Sequence, residues 1–209
     1  MRTTFWDRVA GLYDLAEKSN GRAVRGMCAY VAQRVPEGDS FLECAAGTGA
    51  VSLAAAARAG RVLCTDLSQP MLDRAEAKAR RLGVGNMEFL RRDLLSLPDG
   101  DGSFGVVTAA NVLHLLPRPE LAVGELWRVT RPGGQLILPT FLQGEAGAGF
   151  RLVIRAYRLM GFQFRHAFTR ESYRAFFQGL GLPVEAFTVI GGRLPVGVAV
   201  LRKPEERNA

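Results

Sequence analysis
The stretch Ser40–Gly49, S-F-L-E-C-A-A-G-T-G, constrains this chain more than any other part of it. A short apolar run carries Glu43 near its end, passes through small residues and enters the Ala-rich segment Ala50–Ala59. That pattern reads as a strand, a tight loop and a helix N-terminus. Gly47 and Gly49 have no Cβ, and Ala45 and Ala46 keep the wall thin, so a ligand can lie almost against the backbone N–H groups. A phosphate-cradling loop of the G-x-x-x-x-G-K type would carry a lysine, and none is present here. Glu43 would repel a pyrophosphate and attract an ammonium or sulfonium.

Downstream, polar residues recur at the ends of apolar runs. The run Arg61–Thr65 ends in Asp66, followed by L-S-Q-P-M-L; Met87–Leu90 leads to Asp93 and Leu94; Gly105–Ala109 leads to Asn111 and V-L-H-L-L. Between them, Pro70–Leu82 reads as a charged, Ala-rich helix stopped by Gly83, with Ser68 placed to cap it. Glu120–Thr130 reads as a helix, and R-P-G-G (Arg131–Gly134) as a turn that launches the strand Gln135–Phe141.

In this order the features resemble those of the class I methyltransferases that bind S-adenosylmethionine. E-C-A-A-G-T-G is similar to that family's acid-x-G-x-G-x-G loop, with Ala45 standing where the family usually has its first glycine. The likeness is close from Phe41 to Phe141 and in outline elsewhere. It implies an α/β, Rossmann-like, doubly wound seven-stranded sheet, mostly parallel with an antiparallel C-terminal strand. It also implies S-adenosyl-L-methionine as cofactor, with Glu43 at its ammonium or methionine end, Gly47 and Gly49 in close backbone approach, Asp66 at the ribose, and Ala45, Thr48, Leu67 and Met71 among the cofactor-binding residues. Asp93 and Leu94 would meet the adenine, and Asn111 and His114 would lie beneath the cofactor. An acid about 20 residues past a Gly-rich loop is where doubly wound folds bind ribose hydroxyls. Asp66 also suits simple turn initiation, and Asp93 suits pairing with Arg91 or Arg92.

With 209 residues, 48% of them hydrophobic, the chain is of a size that forms one domain with a substantial core. Its three cysteines lack C-x-x-C spacing, so neither a disulfide framework nor a metal site is expected. No signal-peptide pattern or membrane-length apolar run is visible, which reads as cytoplasmic. A net charge of +7 favours anionic partners in general without choosing one.

Flanking the central region, residues 1–36 read as an N-terminal helical cap, with a helix at Ala23–Val35 and with Tyr13 either closing the pocket or packing on the domain edge. Residues 142–168 read as a substrate-side insertion or lid. Within it Phe150–Met160 is a basic amphipathic helix that fits a lid, an ordinary packed helix or a lipid-surface contact. Thr169–Gly179 reads as a further helix, and Val184–Ile190 with Val196–Leu201 as a terminal hairpin. Catalytic candidates are His114, His166 and Tyr13, each with an equally plain packing role.

An Asn/Asp-Pro-Pro-aromatic motif, which marks alkylation of planar amino nitrogens, is missing after Asn111, so nucleic acid is not the expected partner. The sequence points to methyl transfer onto a small molecule, anionic or amphipathic, such as a quinone precursor, a lipid or a secondary metabolite. A nicotinamide-dependent oxidoreductase, or a partner subunit that binds cofactor without turnover, remains as an alternative reading.

Overall fold
The computed structural model describes residues 20–147 and 164–205. Four short apolar runs form parallel strands: β1 (Ser40–Glu43), β2 (Arg61–Asp66), β3 (Met87–Arg91) and β4 (Phe104–Thr108). To these are added β5 (Thr130–Phe141), β6 (Val184–Ile190) and β7 (Val196–Arg202). The sheet order is β3-β2-β1-β4-β5-β7-β6, with β7 antiparallel to both of its neighbours. This is the doubly wound sheet expected from the sequence, closed by an antiparallel last strand.

Alternation along each strand sends successive side chains to opposite faces. Phe41, Val106 and Ile137 pack under helices α1 (Gly21–Ala32) and α2 (Ala50–Ala55), through Met27, Val31, Val51 and Ala55. Leu42, Val107 and Leu136 face the other way. They meet Val123 and Leu126 of α4 (Pro119–Val129) and Tyr173 and Phe177 of α5 (Arg170–Gly179). The remaining helix, α3 (Gln69–Leu82), sets Leu72 and Ala75 against Cys64. Single-turn 3-10 segments at Leu113–Leu115 and Gln143–Glu145 follow β4 and β5.

Three boundaries differ from the sequence reading. The helix expected to Ala59 stops at Ala55, because the chain must turn tightly into β2. A Cβ at Gly60 would lie 2.4 Å from the Gly38 carbonyl oxygen. The R-P-G-G segment lies inside β5 instead of before it, as an irregularity in register between Phe104↔Thr130 and Val106↔Gln135, with Gly133 at φ 72°. The first helix, expected over Ala23–Val35, starts earlier, at Gly21, and ends earlier, at Ala32. The segment Thr3–Ala16 with Tyr13, and the amphipathic helix Phe150–Met160, lie outside the described residues.

One cation fixes the loop before β4. Arg128 donates to the carbonyls of Leu97 and Asp99 and to Asp101 Oδ1, while both oxygens of Glu125 accept from it. Asp99 in turn pairs with Arg92, a pair that is mostly buried. A contact network between residues this distant in sequence therefore shapes one wall of the cleft described next.

Candidate functional site
Ligands of open α/β sheets bind beyond the carboxyl ends of the strands, where the strand order reverses. Here the reversal falls between β1 and β4, and a cleft of about 190 Å³ opens there. It is lined by Ala45 and Gly47 after β1, Asp66, Leu67 and Met71 after β2, Arg92 and Leu94 after β3, and Ala110, Asn111 and Val112 after β4. Leu115 and Leu116 complete its apolar side. Seven residues singled out in the sequence thus meet in one place: Ala45, Gly47, Asp66, Leu67, Met71, Leu94 and Asn111.

Asp66 organises the cleft. Its Oδ2 accepts from the Gly47 amide at 2.8 Å and its Oδ1 from the Ser68 amide at 2.8 Å. One carboxylate therefore ties the first loop to the start of α3. Ser68 is the N-cap residue but makes no side-chain cap hydrogen bond, so turn initiation and loop alignment both fall to Asp66. A carboxylate can accept about four hydrogen bonds, so these two amides do not exhaust its capacity for ligand hydroxyls.

The first loop is held from behind. Glu43 is 2% exposed, and its Oε2 accepts from the Ser52 amide at 2.7 Å and the Ser52 hydroxyl at 2.5 Å. The sequence reading expects this acid at the ammonium or methionine end; in the structure its carboxylate is engaged by α2 and Glu43 is not among the residues lining the cleft. Thr48 is 1% exposed, and its Oγ1 accepts from Lys78 Nζ at 2.7 Å, which turns it toward α3. Gly49 lets α2 and α3 approach, since a Cβ there would lie 2.8 Å from the Ala75 Cβ. These three residues support the loop from outside the cleft.

Backbone strain is found on both sides of the opening. Ala45 sits at φ 53° and Asn111 at φ 54°, the described non-glycine residues with positive φ. Asparagine tolerates that region, whereas alanine carries a cost of roughly 1–2 kcal/mol. Ala45→Gly is therefore expected to leave stability within about 1 kcal/mol, because strain relief offsets lost burial and added chain entropy. Ala45→Val, branched at a positive φ, is expected to cost about 2–3 kcal/mol in urea unfolding. Equal midpoints for the two variants would contradict the strained geometry.

The polar groups facing the cleft suit a ligand rich in hydroxyls and positive charge. Asn111 Oδ1 is buried without a hydrogen-bond partner, while its Nδ2 lies 3.5 Å from Met27 Sδ. An unmet carbonyl oxygen and a carboxylate are acceptors, and Arg92 is neutralised by Asp99. Asp93 is exposed, and its Oδ1 accepts from the Leu95 amide at 2.9 Å. It sits beside Leu94 at the rim and not among the cleft residues.

The two histidines occupy neighbouring segments. His114 is 1% exposed, with Nδ1 3.0 Å from Thr140 Oγ1 and its ring stacked on Phe164. Burial first, and then the positive charge available at His166, push its pKa down from 6.5 to about 3. A general base is most effective near the working pH, so a ring held neutral, buried and outside the residues that line the cleft is ill suited to be one. His166 Nε2 lies 3.0 Å from the Leu116 carbonyl, an acceptor only, so that nitrogen carries the proton and donates. The amides of Arg165 and His166 both donate to the His114 carbonyl, docking residues 164–168 on the 3-10 turn.

Arg92, Ala110, Val112, Leu115 and Leu116 were not singled out by the sequence reading. The apolar V-L-H-L-L run after Asn111 was the available signal for three of them.

Comparison with known proteins agrees with this geometry. Residues 42–138 match the family model described as a methyltransferase domain. That match spans a little under half of the chain. Over 119 residues the chain is 41% identical to the demethylmenaquinone methyltransferase of Thermus thermophilus, covering 56% of this chain and 53% of that protein. It is 32% identical over 111 residues to a ubiquinone/menaquinone biosynthesis C-methyltransferase of Klebsiella pneumoniae, covering 51% and 44%. The chain thus spans about half the length of the curated relatives it matches.

Among solved structures, a Haloferax volcanii methyltransferase in complex with the Trm112 activator superposes with a TM-score of 0.79 at 18% identity, covering 98% of this chain and 100% of that one. A SAM-dependent methyltransferase from Aquifex aeolicus gives 0.71 at 16% identity, covering 96% and 99%. At such identities these neighbours establish the class I methyltransferase fold. Among the described residues, no helix is long and apolar enough to cross a membrane.

Proposed function
We propose that this protein transfers a methyl group from S-adenosyl-L-methionine to a small, planar acceptor of the quinol class. The observation that carries the reading is Asp66, a carboxylate aligned by the Gly47 and Ser68 amides at the switch point of a methyltransferase domain. Its oxygens accept the ribose hydroxyls, Leu94 and Met71 hold the adenosine by contact, and Asn111 Oδ1 faces the cationic end. Glu43 and Thr48 position the loop through Ser52 and Lys78. Asp93 lies at the rim, where the adenine amino group would reach it. The bound cofactor supplies an activated methyl: the carbon–sulfur bond breaks with its electron pair staying on sulfur, and the acceptor gains the methyl and gives up a proton.

Orientation and exclusion of water then account for much of the rate, up to roughly 7–11 kcal/mol in favourable cases. Val112, Leu115 and Leu116 give the cleft an apolar side on which a ring can lie. The acceptor class follows the relatives named for quinone methylation. Incubation with methyl-labelled S-adenosylmethionine and reduced 1,4-dihydroxynaphthalene is expected to give labelled C-methylated product. Transfer only to an unrelated acceptor would move the substrate class, and no transfer to any small phenol or quinol would contradict the reading.

A further inference from the structure
A second concavity, an open groove of about 570 Å³, lies toward the amino ends of the parallel strands, away from the cleft at their carboxyl ends. Its floor is sheet: Gln135 of β5, Val200 of β7 and Ala186 of β6, held in register by the pairings Gln135↔Arg202 and Ala186↔Val200. One wall is the segment that follows α1, Gln33 to Pro36, and Arg58, in the turn after α2, stands in the other. The proposed reaction uses none of these residues.

Three arginines and one glutamate line the groove. Arg202 is matched, its Nε donating to Glu185 at 3.1 Å and its Nη1 to the Gly133 carbonyl. Arg34 and Arg58 are held by neutral groups instead. The Arg34 guanidinium lies 3.7 Å from the centre of the Tyr30 ring, and Arg58 Nε donates to the Val35 carbonyl at 2.9 Å. Among the described residues neither pairs with a carboxylate, and no hydrogen bond engages their terminal nitrogens. Both therefore keep the forked donors that match a pair of phosphate oxygens. Their main chains are fixed as well: the Arg34 amide donates to the Val31 carbonyl, the Arg58 amide to the Ala55 carbonyl, and the Arg58 carbonyl accepts from the Gly38 amide.

A cation at Arg34 suits the carboxyl end of α1 on its own account. That does not explain Arg58, which reaches the same groove from another segment, or the Gln33 and Gln135 carboxamides that join them. A concavity lined by excess positive charge concentrates anions, and guanidinium groups ordered beforehand lose little freedom on binding one.

We propose that this groove binds a phosphate or diphosphate group, held by Arg34 and Arg58 with Gln33 and Gln135 as neutral donors. The ligand is a phosphate ester, free in solution or displayed as a lipid headgroup. The site is separate from the cleft, and the inference stands apart from the methyl-transfer reading.

Calorimetric titration with inorganic pyrophosphate, at an ionic strength of about 0.15 M so that diffuse attraction is screened, tests it. The wild type should bind with a dissociation constant below about 1 mM, and saturating S-adenosylhomocysteine should not displace the probe. Arg34→Gln and Arg58→Gln should each weaken binding at least about fivefold. Arg34→Lys, which keeps the charge and the fold but loses the fork, should weaken it by less. Arg22→Gln removes an exposed charge of α1 outside the groove and should change affinity less than about twofold. Vesicles of phosphatidylcholine with phosphatidic acid, against phosphatidylcholine alone, separate the two sources. Acid-dependent vesicle binding that needs Arg34 and Arg58 assigns the headgroup, and pyrophosphate binding without it assigns a free ester. No binding of either probe, binding unchanged in both groove variants, an equal loss in Arg22→Gln, or displacement by S-adenosylhomocysteine overturns the proposal.

Discussion

Replacing Asp66 by alanine is expected to weaken binding of S-adenosylhomocysteine about 100-fold, a loss near 2.7 kcal/mol. The size follows from two roles carried by one side chain. It accepts from the Gly47 and Ser68 amides, and it is placed to accept from the ligand's hydroxyls. Charge-assisted hydrogen bonds contribute about 1.5–3 kcal/mol each, and removing the acceptor also releases the loop that forms the cleft wall. Asp66→Asn keeps one acceptor oxygen, so a smaller loss, about tenfold, is expected in that variant. Calorimetric titration of folded protein checks both. An alanine variant that binds as tightly as the wild type would remove Asp66 from the site.

Acid should destabilise the protein through His114. Its pKa lies near 3 in the folded state against about 6.5 unfolded. Between those values the unfolded chain binds the extra proton, so stability falls as pH falls, beginning below about 6.5 and ending near 3. At a pH of about 4.5 the expected loss from this group alone is about 3 kcal/mol. His114→Gln retains a partner for Thr140 and cannot titrate. Urea unfolding at neutral pH and at about pH 4.5 should show a drop in the wild type larger than that of the variant by about this amount. Parallel pH profiles would mean that the ring is already accessible to protons.

How far the sequence could be read depended on whether a feature was local. Strand alternation at Phe41–Leu42 and Val106–Val107 and helix spacing in Gln69–Leu82 depend on near neighbours, and the sheet they form was legible. Polar residues at strand ends were legible for the same reason, and the fold brings Asp66 and Asn111 together with Gly47. The destination of the Glu43 carboxylate was not. Its partner Ser52 lies in the first turn of the following helix, across the loop, and only the packing of α2 over β1 reveals that the acid is buried. Long-range pairings stayed hidden likewise: Arg128 with the 97–101 loop, and through Asp99 the Arg92 side chain that lines the cleft. Unmet hydrogen bonds at Asn111 and Gln143 cannot be seen in a sequence at all, because absence of a partner is a property of the whole fold.

The measurement that bears most directly on the account is calorimetric titration of the protein with S-adenosylmethionine. The cleft between β1 and β4 predicts saturable binding at one site, with a dissociation constant of about 1–100 μM. That binding should be displaced by S-adenosylhomocysteine and reduced in Asp66→Ala. Absence of saturable heat with the wild type, or binding that survives unchanged without the Asp66 carboxylate, would contradict it.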